Sequence, residues 1–350
     1  MKLLFQILMN AAGGFVPSQP APTETVLNLA SSDFAYTLYD RPETGYNKRS
    51  AFSVLAVNTD ASELTVKLFS PLADANYVQD AIISVFNESW VYVGSINPDN
   101  ATGEQVKSIV LSGSGYRKYF FVEGGNTSQG STDFKGSYIT SIESVGGNVG
   151  VVQIANSANR IVSVGDSISV GDGTTQNSLY AWAVRLRDAL RSSGWSLTSD
   201  GWGAAYTLGM FANETLQQEG ADRAISEFSG ATGRKVLLWV LGTNDFGYIV
   251  GDPVLMGQAA ASVWDKVYLQ DSEVEVVCVT PIYRNNQATA NSGGWVLNDY
   301  RNALTTAAST RAFVTAYDGS TVITATDLTD NVHPNNDGHQ KIADYIQSIL

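Results

Sequence analysis

The 350-residue chain has one cysteine, Cys278, and two histidines, His333 and His339. A single cysteine excludes an internal disulfide framework and any cysteine-cluster metal site, and leaves the redox compartment undetermined. Cys278 lies in the apolar run Val274-Glu275-Val276-Val277-Cys278-Val279, where a thiol serves as a small core residue. Basic residues are also scarce, 21 Lys and Arg against 34 Asp and Glu, a net charge of −13. That balance argues against nucleic acid or an anionic membrane as the main partner. No apolar run approaches the roughly 20 residues that a membrane span needs. The first residues, Met1 to Met9, are apolar but interrupted by Gln6 and carry one lysine. Ala11-Ala12-Gly13-Gly14 reads equally as a signal-peptide cleavage region and as a flexible lead-in. The composition fits an extracellular, cell-surface or virion-borne protein.

What the chain does have changes character near residue 150. Before that point come short runs rich in β-branched and aromatic residues, separated by Asn, Asp, Gly and Pro. Phe34–Tyr39, Ala51–Val57, Leu64–Phe69, Ala81–Phe86, Trp90–Val93 and Tyr119–Val122 are the clearest. This pattern predicts a β-sandwich, with jelly-roll topology the preferred form. After Gly146-Gly147-Asn148-Val149-Gly150, apolar strands alternate with helical stripes. Leu179, Trp182, Ala183, Leu186 and Leu190 recur at helical spacing. Strands are expected at 196–198, 235–241, 274–280 and 312–317, with helices near 215–229, 254–269, 296–309 and 336–349. Alternation of this kind implies an α/β domain with a parallel sheet. The expected division is a lead segment over 1–24, a sandwich over 25–150 and an α/β domain over 151–350.

Three polar clusters sit where such a sheet keeps its chemistry, at or after the carboxyl ends of strands. Gly165-Asp166-Ser167 follows Ile161-Val162-Ser163-Val164. A serine hydroxyl needs a base within reach, and the base needs an orienting group. With two histidines the search is short. Asp330 precedes His333 by three residues, a spacing that lets its carboxylate meet the imidazole Nδ1 and turn Nε2 outward. His339, at the start of the last helical stretch, reads as a polar residue of a first helical turn. The third cluster, Gly242-Thr243-Asn244-Asp245, ends the run Val236–Leu241 and offers an amide donor for an oxyanion.

In this order the clusters resemble the SGNH hydrolases of the GDSL esterase and lipase family. Gly165-Asp166-Ser167 matches its first block, Gly242-Thr243-Asn244-Asp245 its third, and Asp330-Asn331-Val332-His333-Pro334 its fifth. The second block is looser: Gly201-Trp202-Gly203-Ala204 stands where the family often has Gly-x-Ser-Gly. The resemblance covers about residues 158 to 350. It implies a flavodoxin-like α/β/α domain and a metal-free, cofactor-free serine mechanism. Ser167 would be the nucleophile, His333 the base and Asp330 its orienting acid. The N–H groups of Ser167 and Gly203 and the Asn244 amide would form the oxyanion hole, with Gly201 and Ala204 open as alternatives to Gly203.

Asp166, Trp202, Phe246 and Tyr248 are expected substrate contacts, the aromatics either stacking on sugar or packing the loops. Tyr36, Tyr39, Tyr46 and Tyr77 in the front domain are read the same two ways. The two-domain order also resembles carbohydrate esterases that remove acetyl groups, so an acetylated oligo- or polysaccharide is the expected partner. Lipid or short-chain ester hydrolysis, acyl transfer, and a glycan-binding attachment protein with a secondary hydrolase domain remain as alternatives.

Overall fold

The computed structural model describes residues 22–29, 34–35, 54–70, 82–123, 126–127, 134–135, 137–152, 158–201 and 204–350. In the front part the main strands are β1 (Val26–Asn28), β2 (Val54–Thr59), β3 (Glu63–Ser70), β4 (Ile83–Asn87) and β5 (Tyr92–Ile96). They continue as β6 (Gly103–Val110), β7 (Arg117–Val122), β8 (Tyr138–Val145) and β9 (Val149–Val151). All pair antiparallel, in one sheet of order β1-β8-β3-β6 and a second of order β9-β2-β7-β4-β5. The two antiparallel sheets face each other, so the front part is the expected β-sandwich. Leu64, Val66, Leu68, Ile139 and Ile142 of the first sheet meet Leu55, Val57, Val85 and Phe121 of the second in one core.

The second sheet is buried on both faces. Val54, Ala56, Phe86, Phe120 and Val122 point away from the sandwich core and join the apolar cluster of the α/β domain. This explains why Val54-Leu55-Ala56-Val57 is continuously apolar rather than alternating: a strand covered on both sides has no wet face to keep polar. The outer strand β6, by contrast, has Glu104, Val106, Ser108 and Val110 in solvent.

The α/β domain is built on β10 (Asn159–Gly165), β11 (Trp195–Gly201), β12 (Lys235–Val240), β13 (Val274–Val279) and β14 (Val314–Tyr317). All are parallel, in the order β11-β10-β12-β13-β14. The helices are α1 (Ser167–Val170), α2 (Asn177–Tyr180), α3 (Trp182–Leu190), α4 (Thr207–Met210) and α5 (Glu214–Glu227). After β12 come α6 (Thr243–Gly247), α7 (Pro253–Gln270), α8 (Leu297–Ser309) and α9 (Asn336–Ile349). One face of the sheet packs with α3 and α9, the other with α5, α7 and α8. None of the helices described is long and apolar enough to cross a membrane.

Most expected elements are present within a few residues, with differences that have physical reasons. The stripe from Leu179 to Leu190 is two helices, because Ala181 takes an extended ψ of 140° between α2 and α3. The break lets Ser178 donate to the Ile82 carbonyl and meet Ser84 Oγ at 2.8 Å, tying β4 to the helical layer. Trp90 is not in a strand. It sits at φ +58° in the β4–β5 turn, stacked on Phe120 at 4.0 Å between ring centroids, with the guanidinium of Arg187 5.1 Å from its ring centroid and that of Arg191 also over the ring. It thereby clamps the sandwich to the end of α3. The strands β6 and β8 escaped the sequence reading because their runs mix in Ser, Thr, Glu and Gln, and β1 because it is only three residues long. Of the expected strand Phe34–Tyr39, Phe34–Ala35 pairs with β2; Tyr36, Tyr39, Tyr46 and Tyr77 lie outside the described residues.

Trp90→Ala should lower stability by about 2–3 kcal/mol through lost packing and stacking. Urea unfolding followed by far-UV circular dichroism checks this; a change under about 0.5 kcal/mol would mean the turn is not a clamp.

Candidate active site

β10 is flanked by strands on both sides and ends at Gly165, where a side chain would run into Ser169 Oγ and Val240. The missing Cβ lets the chain turn at once into α1. Asp166 caps that helix: its Oδ1 accepts from the Ile168 N–H at 3.0 Å. Gly171, left-handed at φ +93°, closes it after four residues. Ser167 is thus the first residue of a short helix at the carboxyl edge of the sheet, 6% exposed.

Ser167 Oγ lies 3.0 Å from His333 Nε2, across 166 residues of sequence. His333 Nδ1 lies 2.8 Å from Asp330 Oδ2. The other oxygen of Asp330 accepts from the N–H groups of Val332 and His333 at 2.6 and 2.7 Å, so the carboxylate folds its own loop around the imidazole. Burial pushes the Asp330 carboxyl up, but the His333 ring and those two N–H groups outweigh it and hold the group below the usual range. An ionised Asp330 accepts from Nδ1–H and leaves Nε2 as the acceptor facing Ser167.

The loops are pinned to each other. Thr329 donates from its N–H to the His333 carbonyl and from Oγ1 to the Gly173 carbonyl, both at 2.8 Å. Asn336 Oδ1 accepts from the Thr175 N–H at 3.1 Å. Gly173 lies so close to His333 and Pro334 that a side chain there would collide with both.

Asn244 is the second residue of α6, entered through Gly242 at φ +125°. Its Nδ2 donates to the Ala205 carbonyl at 2.9 Å, which orients the amide and leaves one N–H free of that bond. Asp245 is fully buried and accepts from the N–H groups of Thr207 and Leu208 at 2.8 and 3.0 Å. Burial raises its carboxyl above the ordinary range against the pull of these bonds. The third cluster is therefore bolted to the segment after β11. Within that segment Ala204 has φ +56°, a backbone conformation costly for alanine, so the turn is held by its surroundings.

Not every expected contact is available to a substrate. Asp166 is 0% exposed and acts as a helix cap; burial raises its carboxyl to about 7, and its Oδ2 has no hydrogen-bond partner among the described residues. Phe246 is 1% exposed and packs edge-on against Tyr300, so it is core. Tyr248 is 69% exposed, 6.4 Å between ring centroids from Tyr206, an aromatic the sequence reading passed over. Trp202 and Gly203 lie outside the described residues, and Gly201 is the last residue of β11. His339 is buried: its Nδ1 accepts from the Trp182 N–H at 3.2 Å, and Nε2 donates to the Asp172 carbonyl at 3.3 Å.

The GDSL-like lipase/acylhydrolase family profile matches residues 163–341, from within β10 to α9. The chain belongs to that family. No curated protein matches it in sequence. Among solved structures, a putative GDSL-like lipase from Bacteroides ovatus is similar at TM-score 0.66 and 12% identity, over 85% of this chain and 83% of that one. The salicylyl-acyltransferase SsfX3 from a tetracycline biosynthetic pathway is similar at 0.67 and 13%, over 92% and 95%. A family two carbohydrate esterase from Clostridium thermocellum, in complex with cellohexaose, is similar at 0.61 and 15%, over 93% and 97%. At such identities the likeness is of fold. With the carbohydrate esterase it extends across both parts of the chain, so the chain shares that protein's two-domain layout.

His339 gives this GDSL-type domain an acid-sensitive support. Burial lowers its pKa from 6.5 to about 3, so the neutral ring is the folded form. The unfolded chain binds the proton between those values. Its contribution is present above pH 6.5 and is lost as pH falls toward 3. His339→Ala should lower stability by about 1–3 kcal/mol near pH 7.5. Its deficit against wild type should shrink at pH 4.5 in paired urea melts; a deficit growing on acidification would contradict a neutral buried ring.

Proposed function

We propose that this chain is a serine esterase that removes acyl groups, chiefly O-acetyl groups, from a carbohydrate. The observation that carries the reading is the line from Ser167 Oγ through His333 to Asp330, with contacts of 3.0 and 2.8 Å, at the carboxyl edge of a parallel sheet. Membership of the acylhydrolase family supports ester chemistry. The layout in common with a carbohydrate esterase that binds cellohexaose supports a sugar substrate.

In this mechanism Ser167 Oγ attacks the ester carbonyl carbon while His333 Nε2 takes the hydroxyl proton. Asp330 stabilises the imidazolium that forms. Negative charge grows on the carbonyl oxygen, and the Ser167 N–H, the second Asn244 N–H and the Gly203 N–H are the donors proposed to stabilise it. The tetrahedral adduct collapses, the C–O bond to the sugar breaks, and His333 returns the proton to the leaving alkoxide. Water then attacks the acyl-enzyme by the same route, releasing acetate and restoring Ser167. Tyr206 and Tyr248, beside the Asn244 donor, offer faces on which a pyranose ring can lie.

Ser167→Ala should abolish hydrolysis of 4-nitrophenyl acetate and acetate release from acetylated xylan or glucomannan. Longer acyl esters should be cut more slowly. An inert wild-type protein that still binds glycan would overturn the esterase reading, and product esters formed with added alcohols would turn it toward acyl transfer. Asp330→Asn should lower kcat by roughly 10²–10⁴-fold with little change in KM, because the amide can hold the wrong tautomer. Steady-state kinetics at pH 8 checks this; a loss below threefold would remove Asp330 from the mechanism.

A further inference from the structure

Between β13 and α8 the loop Pro281–Gln287 carries an arginine that the mechanism above does not use. Arg284 is 8% exposed and donates to oxygens of neutral groups. Nη1 donates to the carbonyl of Thr243, the residue before Asn244, at 3.1 Å, and Nε donates to Asn286 Oδ1 at 2.7 Å. The guanidinium lies 5.1 Å from the Phe246 ring centroid and so close to Gly247 that a methyl group there would run into it. The same loop is tied to the histidine loop, since Asn285 pairs with Asn331 through N–H to carbonyl and Nδ2 to Oδ1, both at 3.0 Å. Arg301 of α8 braces it from behind, donating to the carbonyls of Pro281 and Ile282 at 2.7 and 3.0 Å and to Gln287 Oε1 at 2.8 Å.

A desolvated guanidinium is costly unless negative charge is near. The acids that act on Arg284 are Asp166, on the turn that carries Ser167, and Asp330, on the turn that carries His333. Asp172 and Asp245 lie beyond, acting on Asp166 together with His333, and the neutral His339 stands behind the histidine loop. Among the described residues, Arg284 is therefore a cation set against the carboxyl groups of both the serine turn and the histidine turn.

We propose that Arg284 is a positioning residue of this site, holding the Thr243–Gly247 turn that aims Asn244 and supplying the positive charge that balances Asp166 and Asp330 around the Ser167–His333 pair. The inference rests on the hydrolase reading of that pair. Removing the charge leaves Asp166 and Asp330 without the cation that acts on them, so their protonated forms are favoured and the ionised site forms only at higher pH.

The test is the rate of Ser167 labelling by a fluorophosphonate, and of 4-nitrophenyl acetate hydrolysis, from pH 4.5 to 9. Wild type is compared with Arg284→Met, Arg284→Lys and Gly247→Ala. Arg284→Met should lower the plateau of both rates about tenfold, acting on kcat more than KM. It should also move the acidic half-point up by about half a pH unit or more. Arg284→Lys, with charge but no fork, should keep the half-point and lose part of the plateau. Gly247→Ala, which displaces the guanidinium without removing it, should behave like Arg284→Lys. These two variants carry the test where Arg284→Met does not fold. A half-point and plateau unmoved in folded Arg284 variants of an active enzyme overturn this proposal alone. So does a fall in thermal stability with unmoved rates. An inert wild type overturns the hydrolase reading and this proposal with it.

Discussion

The approach of His333 Nε2 to Ser167 Oγ, 3.0 Å across 166 residues of chain, is the contact on which the rest of the site depends. One such hydrogen bond contributes only about 1 kcal/mol net, far less than the entropy of closing so long a loop. The contact therefore cannot hold itself together. It is a consequence of the parallel sheet, whose core puts the end of β10 beside the start of α9. Two irregular loops complete it by tight backbone approach. Gly165 lets the Ser167 turn begin at the strand's last residue, and Gly173 lets the chain after α1 lie against His333 and Pro334. This is preorganisation in the literal sense: the ordering cost is met during folding, not when substrate arrives.

Around that contact the structure accepts unfavourable electrostatics. Asp166 and Asp245 are both fully buried, and burial pushes both carboxyls up. Asp330, half exposed and surrounded by donors, is held down. Carboxyl groups close together are thus driven apart in protonation by their surroundings, so that one can stay ionised beside the imidazole while another, with a pKa of about 7, serves as a helix cap. Such a cluster lowers stability locally and is sustained by the Trp182, Trp239 and Trp264 cores on either side of the sheet.

The sandwich contributes to this support. Its inner sheet is buried on both faces and shares an apolar cluster with α3 and α9, the helices that flank Ser167 and the histidine loop. Ser84, Ser178 and Gln176 form a polar seam at the same junction, with Gln176 donating to Ser84 Oγ at 2.7 Å. The front domain is therefore part of the scaffold behind the site.

Much of this was legible in the residues. Helical periodicity located α5, α7, α8 and α9, and apolar runs located the parallel strands, because each such segment must bury one stripe or two faces whatever its neighbours are. The Asp330–His333 pair was legible because its geometry is local: three residues suffice to bring carboxylate and ring together. Where the reading failed, the deciding partner was remote. Phe246 looked like a substrate platform until Tyr300 covered it, and Asp166 like a contact until the sheet buried it. Trp90 looked like strand until Arg187 and Arg191 of the other domain drew it into a turn. Arg284 carried no motif at all, since its meaning comes from Thr243, Asp166 and Asp330, brought to it from three other loops. Neighbouring residues alone set the classes of element and the local pair that can form a base; the tertiary structure decided which polar groups meet beside Ser167 and which are sealed in the core. The physical reason is that periodicity and short turns are properties of neighbouring residues, whereas burial and electrostatic environment belong to groups far apart in the chain.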